Sequence, residues 1–190
     1  PKTMPKFISP MLCLSVISTE YACLASHLKA IHTAYRNNES YAIIAEDDVI
    51  IIKDIDWNLL INSAPNNWDL LQMHTCCMPQ DNKLSMSYYD SSDVMWIKTN
   101  SIIPSAVFYI INRDCMYYTL KKYIKDFDKS WDEIIQIDLT LTKVNCQADL
   151  ILFHDINRYI CMQSYVTPDQ SKSTIHWSHN FNSNIQGQCK

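Results

Sequence analysis

The stretch Tyr41-Ala42-Ile43-Ile44-Ala45-Glu46-Asp47-Asp48-Val49-Ile50-Ile51-Ile52 decides the fold, because it sets three adjacent carboxylates inside an otherwise apolar run. Residues 41–45 are apolar and do not alternate, the pattern of a strand covered on both faces in a parallel sheet. Glu46, Asp47 and Asp48 then fall at the carboxyl end of that strand, where open α/β sheets bind ligands. Adjacent carboxylates repel one another, and burying them without partners is costly, so a positive charge is expected beside them. A divalent cation, Mn²⁺ or Mg²⁺, suits carboxylate ligands and keeps positions open for substrate phosphates. An exposed acidic turn is the competing reading of the same triplet.

Outward from this stretch, the chain reads as helices interleaved with strands. Tyr21, Leu24, Leu28, Ile31 and Tyr35 share one face of a helix that starts at Ser18 or Thr19, runs to Arg36 and ends at Asn37 and Asn38. Further helices are predicted over 55–62, over 113–125 with Asn112 as cap, and over 131–142. Strands are predicted over 69–73, 94–98, 106–111 and 150–153. Residues 79–93 read as a polar, irregular loop of functional length, and the segment from 165 onward as an irregular wrap. Strands alternating with helices predict an α/β layered sheet, mostly parallel.

Composition narrows the function. The chain has 190 residues, of which 47% are hydrophobic, enough for one substantial core, so one domain over residues 1–190 is expected, whole or cut from a longer chain. A net charge of -4 leaves no basic field for nucleic acid or an anionic membrane. No run approaches the roughly 20 apolar residues of a membrane span and no secretion signal opens the sequence, so a soluble, cytoplasmic protein is expected. The eight cysteines lie in apolar segments without a C-x-x-C pair and read as free thiols. The single glycine, Gly187, rules out both glycine-rich phosphate loops.

Two stretches together carry a resemblance. Thr19-Glu20-Tyr21-Ala22-Cys23-Leu24-Ala25-Ser26-His27, followed after a helix-length gap by Tyr41 to Val49, resembles the "G-E-x-G-C-x-x-S-H … A-L-I-L-E-D-D" signature of glycosyltransferase family 25. That family holds bacterial lipooligosaccharide glycosyltransferases and collagen-type galactosyltransferases, with relatives in large viruses. Ser105 to Ile111, Gln136-Ile137-Asp138-Leu139, and Gln163 with Ser171 to Ile175 are similar to later elements of the same family.

The resemblance implies a GT-A-like fold with helices on both faces of the sheet. It implies transfer of a sugar from a nucleotide-sugar, a UDP-sugar being the expected donor, to a glycan or glycoprotein acceptor with inversion. Asp48 would then ligate Mn²⁺ or Mg²⁺, while Glu46 or Asp47 touches the ribose or the metal through water. Asp138 matches the family's aspartate and is the first choice for the base, with Asp132 and Glu133 as rivals. His176 is the favoured late metal ligand, ahead of His179. Ser26-His27 reads as structural or substrate-positioning, because neighbours on a helix point in different directions. Two other functions stay open: a catalytically inert binding module on the same fold, and a metal-dependent phosphohydrolase using the same carboxylates.

Overall fold

The computed structural model describes residues 18–75, 87–91, 94–98, 104–134, 137–138 and 148–169. Helix α1 spans Ser18–Arg36. Its apolar face repeats at i, i+3 and i+4, which buries Tyr21, Leu24, Leu28 and Ile31 on one side. The helix ends as its two asparagines predict. Asn38 takes a left-handed φ of 65°, and the N–H groups of Asn38 and Glu39 return to the carbonyls of Tyr35 and Ala34. That closes orphan carbonyls in the manner of a Schellman cap.

The elements that follow are β1 (Tyr41–Ala45), β2 (Val49–Ile51), α2 (Trp57–Ser63), β3 (Leu70–Gln72), β4 (Ser87–Ser91), β5 (Val94–Lys98), β6 (Phe108–Asn112), α3 (Arg113–Tyr123), α4 (Ala148–Leu152), β7 (Arg158–Cys161) and β8 (Val166–Pro168). Asp56 caps α2 through the Leu59 N–H, and Asn112 caps α3 through the Cys115 N–H. A single 3-10 turn covers Trp131–Glu133.

Six strands form one sheet in the order β1-β6-β3-β7-β5-β4, and β2 pairs with β8 in a separate ribbon. The expected mostly parallel sheet is corrected here: β3 and β7 are parallel, and every other neighbouring pair is antiparallel. The reason lies in the connections. β4 and β5 are separated by two residues, which permits only a hairpin, and β6 inserts between β1 and β3 against both. The mixed α/β content with helices packed on the sheet stands.

β1 is an edge strand, not a strand covered on both faces. Ile44 is buried while Tyr41 and Ile43 stay exposed. Of residues 150–153, read as a strand, 150–152 belong to α4 and Phe153 to the turn after it; Ala148, Ile151 and Leu152 turn inward at helical spacing. A short apolar run fits either period, and this one follows 3.6. Of the helix expected over 131–142, the described residues show only the 3-10 turn Trp131–Glu133 and Ile137 bridging Ile124; residues 135–136 and 139–142 lie outside the described residues. β-branched residues dominate that segment and favour extended backbone. Within the stretch read as a loop, residues 87–91 form β4, and within the stretch read as an irregular wrap, residues 166–168 form β8.

The sheet's two-residue alternation divides the core. Leu70, Tyr109 and Ile111 face α1, α3 and α4, packing on Leu24, Leu28, Met116, Leu120 and Phe153. Leu71, Phe108, Ile110 and Tyr159 face the other way, onto Leu60 of α2 and Trp96. Each fully buried leucine contributes about 1.5–3 kcal/mol. Asp69, which reads as structural, ties β3 to β7: its Oδ2 accepts from the Asn157 backbone N–H at 2.7 Å and side-chain amide at 3.2 Å.

Candidate functional site

β1 and β3 both run antiparallel to β6, so their carboxyl ends share one edge of the sheet with the amino end of β6. Three chain segments meet there: Glu46-Asp47-Asp48 after β1, His74 after β3, and Ser105 before β6. The first half of α1 lies over the same edge, because α1 and β1 are joined by a tight turn and run back to back.

The acidic triplet is the link between the two sheets, which explains how charge sits inside an apolar run. Glu46 N–H donates to Val107 O at 2.9 Å, extending the β1–β6 ladder, and Asp169 N–H donates to Asp48 O at 2.6 Å, extending the β2–β8 ribbon. Both ends of the turn are therefore clamped. The apolar residues before and after it belong to different strands.

Glu46 Oε1 takes two contacts from α1, His27 Nε2 at 3.2 Å and Cys23 Sγ at 3.9 Å. His27 is buried, and its Nδ1 lies 3.1 Å from the hydroxyl of Tyr109, which has no exposure. The Ser26 hydroxyl donates instead to Ala22 O on an exposed face. Neighbouring Ser26 and His27 thus act separately, as helix geometry requires, and His27 supports Glu46.

Asp48 is different. Its Oδ1 is buried with no hydrogen-bond partner, and among the described residues no lysine or arginine pairs with Glu46, Asp47 or Asp48. Burial, then the Glu46 charge, raises the Asp48 carboxyl above its ordinary range, with Asp47 and Asp169 adding to the effect. An orphaned carboxylate oxygen beside further carboxylates is a donor set that fits a hard divalent cation.

Ser105 is the strained point of the edge. It is buried with φ of 134°, a region that favours glycine, in a chain whose one glycine lies elsewhere. Three side chains hold it there. Asp149 Oδ2 accepts from Ser105 N–H at 3.1 Å, Gln72 Nε2 donates to Ser105 O at 3.1 Å, and His74 Nδ1 lies 2.7 Å from Ser105 Oγ. Burial lowers the His74 pKa, against the opposing pull of Glu46, so the ring is neutral at pH 7. Burial raises the Asp149 carboxyl, and Glu46 adds to that.

Of the residues singled out from sequence, Glu46, Asp47 and Asp48 share this turn. Asp138 sits beside the end of α3, where its N–H donates to Tyr123 O at 2.7 Å. His176 and His179 lie outside the described residues. Sequence reasoning quoted Cys23 and Ser105 within family-like stretches without giving them a role, and passed over His74 and Asp149. Cys23 and His27 carry a signal, the i, i+4 spacing that puts both on one helix face. Asp149 carries a weaker one, a charge at the start of an apolar run. Ser105 and His74 become visible only through the strand order. Cys23, Cys115 and Cys161 are free thiols, and no described helix is long and apolar enough to cross a membrane.

A scan against protein-family models matches none, and a search of curated proteins returns no relative.

Proposed function

We propose that this protein is a metal-dependent glycosyltransferase that moves a sugar from a nucleotide-sugar, a UDP-sugar, to a glycan or protein acceptor with inversion. One observation carries the reading: the buried, unpartnered Oδ1 of Asp48 in a turn of three carboxylates at the carboxyl end of a strand. The motif resemblance over residues 19–27 and 41–49 points to the same chemistry, and a GT-A-like arrangement belongs to the proposal.

In this reading Asp48 holds Mn²⁺ or Mg²⁺, with His176 as a further ligand. When bound, the cation offsets the charge that builds on the departing nucleoside diphosphate. Glu46 or Asp47 meets the ribose, and His27 and Cys23 fix the Glu46 carboxylate so that it needs no reordering when the donor arrives. Asp138 takes the proton of the acceptor hydroxyl. His74, neutral at pH 7 and at the same sheet edge as the carboxylates, is its rival for that role.

Calorimetric titration with UDP- and GDP-sugars, with and without Mn²⁺, tests the donor site. Binding that requires Mn²⁺ and disappears in Asp48→Asn supports it; absence of binding to every donor with metal present removes it. A second reading, a metal-dependent phosphohydrolase, draws on the presence of His74 and Asp149 at the same edge. Sugar transfer to an added acceptor separates the two, and donor binding without any turnover would mark an inert binding module.

A further inference from the structure

Cys23, His27 and Glu46 form a cluster of another chemical kind. Each offers one ligand atom, and these three atoms all lie within 4.8 Å of one another. A tetrahedral zinc centre, with bonds of about 2.0–2.3 Å, separates its ligand atoms by about 3.3–3.7 Å. Two of the three separations lie close to either end of that range, His27 Nε2 to Glu46 Oε1 at 3.2 Å and Cys23 Sγ to Glu46 Oε1 at 3.9 Å.

We infer that Cys23, His27 and Glu46 form a three-ligand site for a thiolate-binding divalent cation of the Zn²⁺ type. The donor set selects the metal: sulfur and imidazole favour Zn²⁺ over Mg²⁺ or Mn²⁺, which Asp48 and its neighbours suit better. Two positions come from one face of α1 at i, i+4, and the third from the clamped turn after β1, so both supports are rigid. The support behind the ligands is also present. Tyr109 OH faces His27 Nδ1 at 3.1 Å, and the two rings stack with centroids 5.8 Å apart. A hydrogen bond on the far ring nitrogen is what aims a histidine's other nitrogen at a metal. Tyr109 is fully buried on β6, so it cannot swing away.

The same chain of contacts argues against a proton relay. Running from Glu46 through His27 to Tyr109, it leads inward to a phenol with no exit to solvent, and so delivers a proton nowhere. On the outer side the Glu46 side chain is 28% exposed, which leaves a fourth coordination position open to water. On binding, the Cys23 thiol loses its proton to solvent and the His27–Glu46 contact is replaced by two metal–ligand bonds.

Titrating the metal-free full chain with Co²⁺ tests the site through the near-ultraviolet thiolate-to-cobalt charge-transfer band. One equivalent should develop the band, and Zn²⁺ should displace it. Cys23→Ser should lose the band with an unchanged far-ultraviolet circular dichroism spectrum. Tyr109→Phe should keep it while weakening affinity about 10–100-fold, the usual effect of losing a supporting hydrogen bond. Glu46→Gln, a conservative change at a partly exposed position, should weaken affinity at least ~10-fold. No band at one equivalent would overturn the inference. So would a band undiminished in Cys23→Ser, which would assign the thiolate to another cysteine. The site shares Glu46 with the transferase reading, which leaves Asp47 to meet the ribose when the metal holds Glu46, and Mn²⁺-dependent donor binding and the cobalt band are separate readouts.

Discussion

Asp48 and Ser105 are residues of the site at which local energetics are given up. Asp48→Asn keeps the shape of the side chain and removes the charge that burial and Glu46 disfavour. Because the folded-state pKa is raised, the folded chain binds a proton more readily than the unfolded one. Stability therefore falls as pH rises from the ordinary value of 3.8 through the raised value, and stays lowered above it. The metal-free Asp48→Asn variant should melt above the parent at pH 7, and the difference should shrink as pH falls towards 4; a difference independent of pH would contradict this. At Ser105, both Ala and Gly lose the His74 contact, but only Ala keeps a Cβ at φ 134°. Ser105→Gly should be more stable than Ser105→Ala by about 1 kcal/mol or more in urea unfolding. The Ser105 strain does not show in the local sequence, because it arises from Asp149 in α4 and from Gln72 and His74 at the end of β3, converging from two other segments.

Elements were legible where a period or a cap spoke alone. α1 was readable because five apolar residues hold helical spacing over its length, and α3 because Asn112 precedes it. Asn112→Ala should cost about 1 kcal/mol, since the Cys115 N–H loses its 2.8 Å acceptor; the Asn112 side chain also donates to Trp68 O. Equilibrium denaturation checks it, and an unchanged midpoint would mean the cap is dispensable. β5 was read at its observed bounds. α4 was not, because LILF fits two periods and only the buried set Ala148, Ile151 and Leu152 selects the helix. The segment after Ser130 misled in the opposite direction: Glu133 accepts from the Ser130 N–H and hydroxyl, a helix-start signal that a β-branched run then overrides. Within α1, Leu28→Ala should destabilise by about 2–5 kcal/mol, since Leu28 has no exposure and its loss opens a cavity under the helix.

On the scale of the whole molecule, strand direction was the feature that sequence could not supply. An apolar run such as 41–45 suits a buried parallel strand as well as an antiparallel edge strand, and only pairing with β6 decides between them. The placement of the acidic triplet survives that change, because β1 and β3 still end at one edge and deliver Glu46, Asp48 and His74 together. What holds the triplet is the junction of two sheets, and what it lacks within the described residues is a cation. Ligand binding that supplies one should stabilise the entire fold by mass action, by about 2.7 kcal/mol at a hundred times the dissociation constant. The measurement to make is calorimetric titration of a UDP-sugar into the protein with and without Mn²⁺, alongside Asp48→Asn. Binding that needs Mn²⁺ and vanishes in the variant is the expected result. Binding indifferent to both the metal and Asp48, or none to any donor, would contradict the carboxylate turn as a metal and nucleotide-sugar site.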